Sequence, residues 1–157
     1  MDRRSRWVLM SYRLPREPST PRISLWRQLR RLGVAQIADG VVALPLDART
    51  RERLDWLAEE VVEQGGEATV WLAEPGSDAQ ERALAAQMAA TVAAEYVRVI
   101  DEAAASADAP EAGRRRTVAR LRRELRRIGA RDYFPGPSAA PARAAVEALG
   151  DTLVAVA

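Results

Sequence analysis

WVLMSYRLPREPSTPRISLWRQLRRLGVAQIADGVVALPL, residues 7–46, holds strand, helix and hairpin in a row, each with its own start and stop. Trp7-Val8-Leu9-Met10-Ser11-Tyr12 is an apolar run with polar residues only toward its end, which fits a strand buried in mid-sheet. Leu14-Pro15 stops it, and Arg16-Glu17-Pro18-Ser19 forms a loop. Thr20 offers an N-cap hydroxyl, and Pro21 sits at the first helical position, where its missing N–H costs nothing. Leu25, Trp26, Leu29 and Leu32 recur at helical spacing as one apolar face, with Arg22, Arg27, Arg30 and Arg31 around the rest. Gly33 suits the left-handed residue that ends a helix. Residues 34–38 and 41–44 are two short strands, and Asp39-Gly40 between them is a type I′ hairpin signal.

Working outward, Pro45 closes the third element of the sheet and Asp47 caps a helix over 48–64, with Leu54, Leu57, Ala58 and Val61 facing inward. Gly65-Gly66 ends it. Residues 68–73 form a fourth strand, with Val70 and Leu72 on one face and Trp71 on the other. The order predicts an α+β fold: a ferredoxin-like βαββαβ sheet over about residues 7–74, followed by a C-terminal helical extension. Two helices on one face leave the other bare. Trp71 and alternate residues of the first strand, Trp7 and Leu9 or Val8 and Met10, then need a cover. Either the C-terminal helices or a second subunit supplies it, and a homodimer is the expected assembly.

The rest reads as two long helices over 77–131, then linker, short helix and tail over 132–157, all within one domain of 1–157. Ser77 begins a capping box with Gln80. Leu84, Met88, Val92, Tyr96 and Val99 trace a stripe along a helix from 78 to about 105. Residues 106–110 break it. Val118, Leu121, Leu125 and Ile128 hold heptad spacing in a helix near 111–131. Asp132-Tyr133-Phe134-Pro135 reads as an aromatic anchor on the core. Residues 142–149 are a short helix stopped by Gly150, and Leu153-Val154-Ala155-Val156 is a short strand or a fraying end.

Composition removes whole classes of chemistry. Without cysteine or histidine there is no disulfide framework, no Ser-His or Cys-His nucleophile pair and no ordinary zinc site, so no metal and no cofactor is expected. All 24 basic residues are arginine, which rules out Schiff-base lysines and a P-loop lysine. The Ala, Arg, Gly and Pro usage points to a GC-rich genome rather than to selection for anion binding. Uninterrupted apolar runs fall short of the roughly 20 residues that span a bilayer. The basic-then-apolar start resembles a signal peptide, but Ser11-Tyr12-Arg13 cuts its apolar part short. A cytoplasmic protein without membrane attachment is expected.

Charge is unevenly spread. Residues 1–31 carry nine Arg against two acids, net +7; residues 32–112 carry five against sixteen, net −11; residues 113–157 carry ten against four, net +6. The basic ends either neutralise the acidic middle within the fold, the favoured reading, or present an anion-binding surface.

The pattern Trp7-x-Leu9-x-x-Tyr12-x-Leu14-Pro15, then Ser19-x-x-Arg22-x-x-x-Trp26-Arg27-x-Leu29-x-x-Leu32-Gly33, then Asp39-Gly40-x-x-x-Leu44-Pro45, resembles the N-terminal domain of ChrB, the chromate-resistance regulator family. Gly65-Gly66-Glu67-Ala68 and Glu95-Tyr96 fit the same rhythm, so the resemblance covers roughly residues 7–135. It implies a transcription-linked role in the chromate response; no enzymatic activity is expected of this chain. The front half is more distantly similar to PaaX central domains and to small CRISPR-associated endoribonucleases. The latter place a metal-binding aspartate at the end of the first strand, where this chain has Met10-Ser11-Tyr12-Arg13.

Three functional readings compete. In the first, a regulatory or sensory module binds an oxyanion such as chromate, or a partner. Arg22 and Arg27 would supply forked donors, with Ser19 and Thr20 as neutral donors at the helix start. Residue by residue, the plainer account is that Thr20 caps the helix and Arg22 pairs with a nearby acid. In the second, Arg115, Arg116, Arg122, Arg123, Arg126 and Arg127 bind DNA or another nucleic acid through phosphates. The plainer account there is a solvated face paired with acids of the preceding helix, among them Asp78, Glu81, Glu95, Asp101 and Glu102. In the third, a degenerate metal-dependent nuclease uses Asp39 and Asp47, although a hairpin turn and a helix cap explain those two better.

Overall fold

A computed structural model describes residues 6–154. The chain is α+β, with one four-stranded antiparallel sheet and five helices among the described residues. Strand β1 (Trp7–Arg13) lies inside the sheet, between β3 (Val41–Pro45) and β4 (Glu67–Ala73). Strand β2 (Ala35–Ala38) pairs with β3 and forms the far edge, giving the order β2-β3-β1-β4. Helix α1 (Thr20–Leu32) links β1 to β2, and α2 (Ala48–Glu63) links β3 to β4.

The register explains the alternation in the sequence. Val8 lies across from Leu44 and Leu72, and Met10 from Val42 and Val70, so these six share one face. Val8, Met10, Val42 and Leu44 are fully buried there, and Leu25 and Leu29 of α1 and Leu54, Leu57 and Val61 of α2 are buried with them. Each such side chain contributes about 1.5–3 kcal/mol relative to exposure. On the opposite face, Trp7 is buried while Trp71 is 54% exposed. The Trp7 indole N–H donates to Glu81 Oε1 at 3.4 Å, and the Trp71 indole to Ser11 Oγ at 3.0 Å.

Local signals hold at several joints. Gly33 adopts a φ of 76° and closes α1. Asp47 accepts from the Thr50 N–H, and the Thr50 hydroxyl accepts from the Asp47 N–H, a reciprocal cap at the start of α2. The Ser77 hydroxyl accepts from the Gln80 N–H.

Four expectations need correction. The cap of α1 is Ser19, without a side-chain cap bond, and Thr20 is already helical. Trp26 is 40% exposed, because it lies a helical step aside from the Leu25–Leu29 ridge and aligns with Arg22 and Arg30 at four-residue spacing. The Asp39-Gly40 turn is not type I′: only Gly40 has positive φ, and a register shift between Gln36 and Ala38 absorbs the difference. Gly150 does not stop the last helix.

That helix, α5 (Ala139–Val154), starts with Pro141 in its first turn and passes through Gly150 to absorb Leu153 and Val154. A Cβ at Gly150 would come within 3.3 Å of the guanidinium tip of Arg122 and 3.8 Å of Val118 Cγ1, both on α4 (Glu111–Ala130). The remainder of the tail, 155–157, lies outside the described residues.

The chain folds as two compact units, the first ending at Gln87 and the second beginning at Met88. The division falls inside α3 (Asp78–Ala105), not at the loop before it. In the second unit Val92, Tyr96 and Val99 of α3 form one core with Val118, Leu121 and Ile128 of α4 and Ala142, Val146 and Leu149 of α5. By length and composition alone α3 is apolar enough to cross a membrane, a property that counting uninterrupted apolar runs passes over.

Candidate anion-binding cleft

The end of β1 sets the site. Tyr12 N–H donates to the Gly40 carbonyl at 2.8 Å, which fastens the β2–β3 turn against the strand. A Cβ at Gly40 would meet the Tyr12 carbonyl oxygen at 2.5 Å, and Gly40 has a φ of 72°, so only glycine fits. Asp39 is thereby held beside the Tyr12 phenol. From the other side, α1 begins just after the loop at 14–19 and turns its Arg22–Trp26–Arg30 ridge the same way.

Between them lies an open cleft of about 1050 Å³. Its walls include Arg13, Arg16, Arg22, Arg27 and Arg30, with Ser19, Gln36, Tyr12 and Trp26, and Asp39 is the one acid on them among the described residues. None of the five arginines forms an ion pair among the described residues, so the expected pairing of Arg22 with an acid is not made. Low-dielectric walls lined by one sign of charge concentrate anions.

Three of the four residues singled out for anion binding, Ser19, Arg22 and Arg27, thus line one cleft. Thr20 is exposed at the first position of α1 and is not on its walls. Sequence reasoning passed over Arg13, Arg16 and Arg30 as site residues. The spacing of Arg22, Trp26 and Arg30 was the available signal for the last of them; the first two depend on where the strand and loop lead.

Tyr12 reports on this charge. Burial raises its phenol above the ordinary value, Arg22 pulls it down, and Asp39 pushes it up. The unfolded chain therefore loses this proton first, and the stability Tyr12 contributes falls as pH rises from about 10 through its raised folded value. An anion bound beside Arg22 will raise Tyr12 further. The check is a spectrophotometric titration of the wild type with and without sulfate, using Tyr12→Phe to assign the signal.

The α4 arginines are divided. Arg115 pairs with Glu111 at 2.7 Å and Arg127 with Glu124 at 3.6 Å. Arg120 reaches Glu102 at 2.7 Å, and the half-buried Arg131 reaches Glu95 at 2.7 Å, so part of the basic helix neutralises α3 as expected. Arg116, Arg122, Arg123 and Arg126 are exposed and form no ion pair among the described residues. Tyr133 and Phe134 are half-buried, and the Tyr96 hydroxyl donates to Asp132 Oδ2 at 3.1 Å. Burial, then the Asp132 charge and its hydrogen bond, raise the Tyr96 phenol.

Asp47 is committed to its helix cap and Asp39 to the turn beside Tyr12. No group of three or more potential carboxylate ligands gathers among the described residues.

A small α+β module with a basic cleft at the end of its central strand is the class these features define. The family model described as "Protein ChrB, N-terminal" matches residues 22–156, and the chain belongs to that family. The match begins after the Trp7–Pro15 motif and runs past the Phe134 region into α5, so it is shifted toward the C-terminus relative to the sequence motifs. Protein ChrB of Cupriavidus metallidurans (strain CH34) is 29% identical over 138 residues, which cover 87% of this chain and 43% of that protein. The chain therefore spans less than half the length of this relative. No solved structure matches.

Proposed function

We propose that this chain is a non-enzymatic, cytoplasmic regulatory module linked to chromate resistance, and that its basic cleft receives an oxyanion such as chromate. Membership of the ChrB N-terminal family supports the regulatory link. The observation that carries the ligand is that five arginines without ion pairs, and one acid, among the described residues line one cleft running from the end of β1 along the length of α1. Ser19 makes no side-chain cap bond, and Pro21 has no N–H, so of the first-turn residues it is Arg22, on the cleft wall, whose N–H is open to an acceptor. Guanidinium forks match the edges of a tetrahedral dianion, and the reading calls for no cofactor. The element order and the central place of β1 and β3 support reading the sheet as ferredoxin-like.

Calorimetric titration with chromate and with sulfate at low ionic strength tests the reading. Wild type is expected to give heat and a thermal shift at millimolar anion, and the Arg22→Ala/Arg27→Ala variant to lose both. Absence of both signals in the wild type overturns the proposal.

A second reading rests on the exposed arginines of α4 that lack acid partners among the described residues. If they bind DNA, affinity falls steeply with salt, and Arg122→Ala/Arg123→Ala/Arg126→Ala lowers the log–log salt slope by about 3. An unchanged slope removes α4 from contact with nucleic acid.

A further inference from the structure

The two edges of the sheet are built differently. β2 is four residues long and carries a register irregularity, both of which blunt an edge. β4 has seven residues, an unbroken register with β1 from Glu67 to Ala73, no proline, no glycine and a single charge at its first position. No strand among the described residues pairs with its outer side. Two of its large side chains stand in solvent, Trp71 at 54% and Leu72 at 46% exposure. An edge this long, regular and apolar is a template for another strand.

We infer that β4 is a homodimer interface, in which two copies pair antiparallel through their β4 edges and extend the sheet across a twofold axis at Val70. That register alone pairs all seven residues. It sets Leu72 against Ala68 of the second copy, Trp71 against Thr69 and Glu67 against Ala73, so each large side chain meets a small one and no like charges face each other. Because the patch is self-complementary, the contact closes on itself. Centring the axis on Trp71 instead would stack the two indoles on each other and leave Glu67 and Ala68 unpaired.

Thr69 and Trp71 are both exposed and face each other across the axis, which makes a charge swap decisive. By size-exclusion chromatography with light scattering, wild type is expected at twice 17.2 kDa. T69E/W71E, which opposes carboxylates across the axis, is expected to be monomeric, and T69R/W71E, which opposes arginine and glutamate, to be dimeric again. A monomeric wild type at high micromolar concentration, a dimeric T69E/W71E or a monomeric T69R/W71E overturns the inference. A measurement on the unaltered chain guards against misfolded variants: the β4 amides should exchange more slowly at dimer concentration than at dilution, and equal rates also overturn it.

Discussion

Replacing Trp7 with alanine lowers the unfolding free energy by about 3–5 kcal/mol. Trp7 is 2% exposed on the interior strand, between Pro45 of β3 and Ala73 of β4, and its indole N–H reaches Glu81. Truncation opens a cavity at the sheet and removes the Glu81 contact together. Against a typical domain stability of about 5–15 kcal/mol, that is a large share of the total. Trp56→Ala is the matched control. Trp56 is 54% exposed and its ring carries Arg53 at 5.7 Å, so its loss changes stability by only about 0.5–1 kcal/mol. Urea unfolding followed by circular dichroism compares the two; equal effects would refute the packing assigned to Trp7.

Gly66→Ala lowers stability by about 3 kcal/mol, at the upper end for overpacking. A Cβ at Gly66 would lie 2.3 Å from the Arg13 carbonyl oxygen and 2.9 Å from Val61 Cγ1. The first of these atoms is backbone and cannot rotate away. The neighbouring Gly65 makes the contrast. Nothing lies within 4 Å of a Cβ there, but its φ is 84°, so Gly65→Ala carries only the left-handed backbone penalty of about 1–2 kcal/mol. Because Arg13 lines the cleft, Gly66→Ala should also weaken sulfate binding, whereas Gly65→Ala should leave it intact. Thermal melts and calorimetry on both variants separate the two effects.

Much of the fold is legible because its signals act over a few residues. The Asp47–Thr50 cap, the left-handed Gly33 and the alternation of Val8 and Met10 with their neighbours are fixed by spacings of two to four positions. The misreadings occur where local rules compete. Asp39-Gly40 suits several turns, and the bulge beside Gln36 selects among them. Gly150 is a helix terminator by propensity, yet Val146 and Leu149 before it and Leu153 after it pack on one core shared with α4, and the helix continues through it. Trp26 reads as core by its apolarity, yet the ridge that meets the sheet is one helical step away.

The amino-acid order by itself determined the succession of strands and helices up to the last helix, the Asp47 cap and the Gly33 helix end, most of the apolar stripes and the absence of thiol, imidazole and lysine chemistry. It also placed Ser19, Arg22 and Arg27 near one helix start. Only the tertiary structure decided that Arg13 and Arg16 join them, that Asp39 stands beside Tyr12, and that Arg131 finds Glu95 across 36 positions of chain. Caps and periodicity are contact effects between near neighbours in sequence. Where charges converge depends on strand register and helix packing, which bring distant residues together and leave no mark in the local pattern.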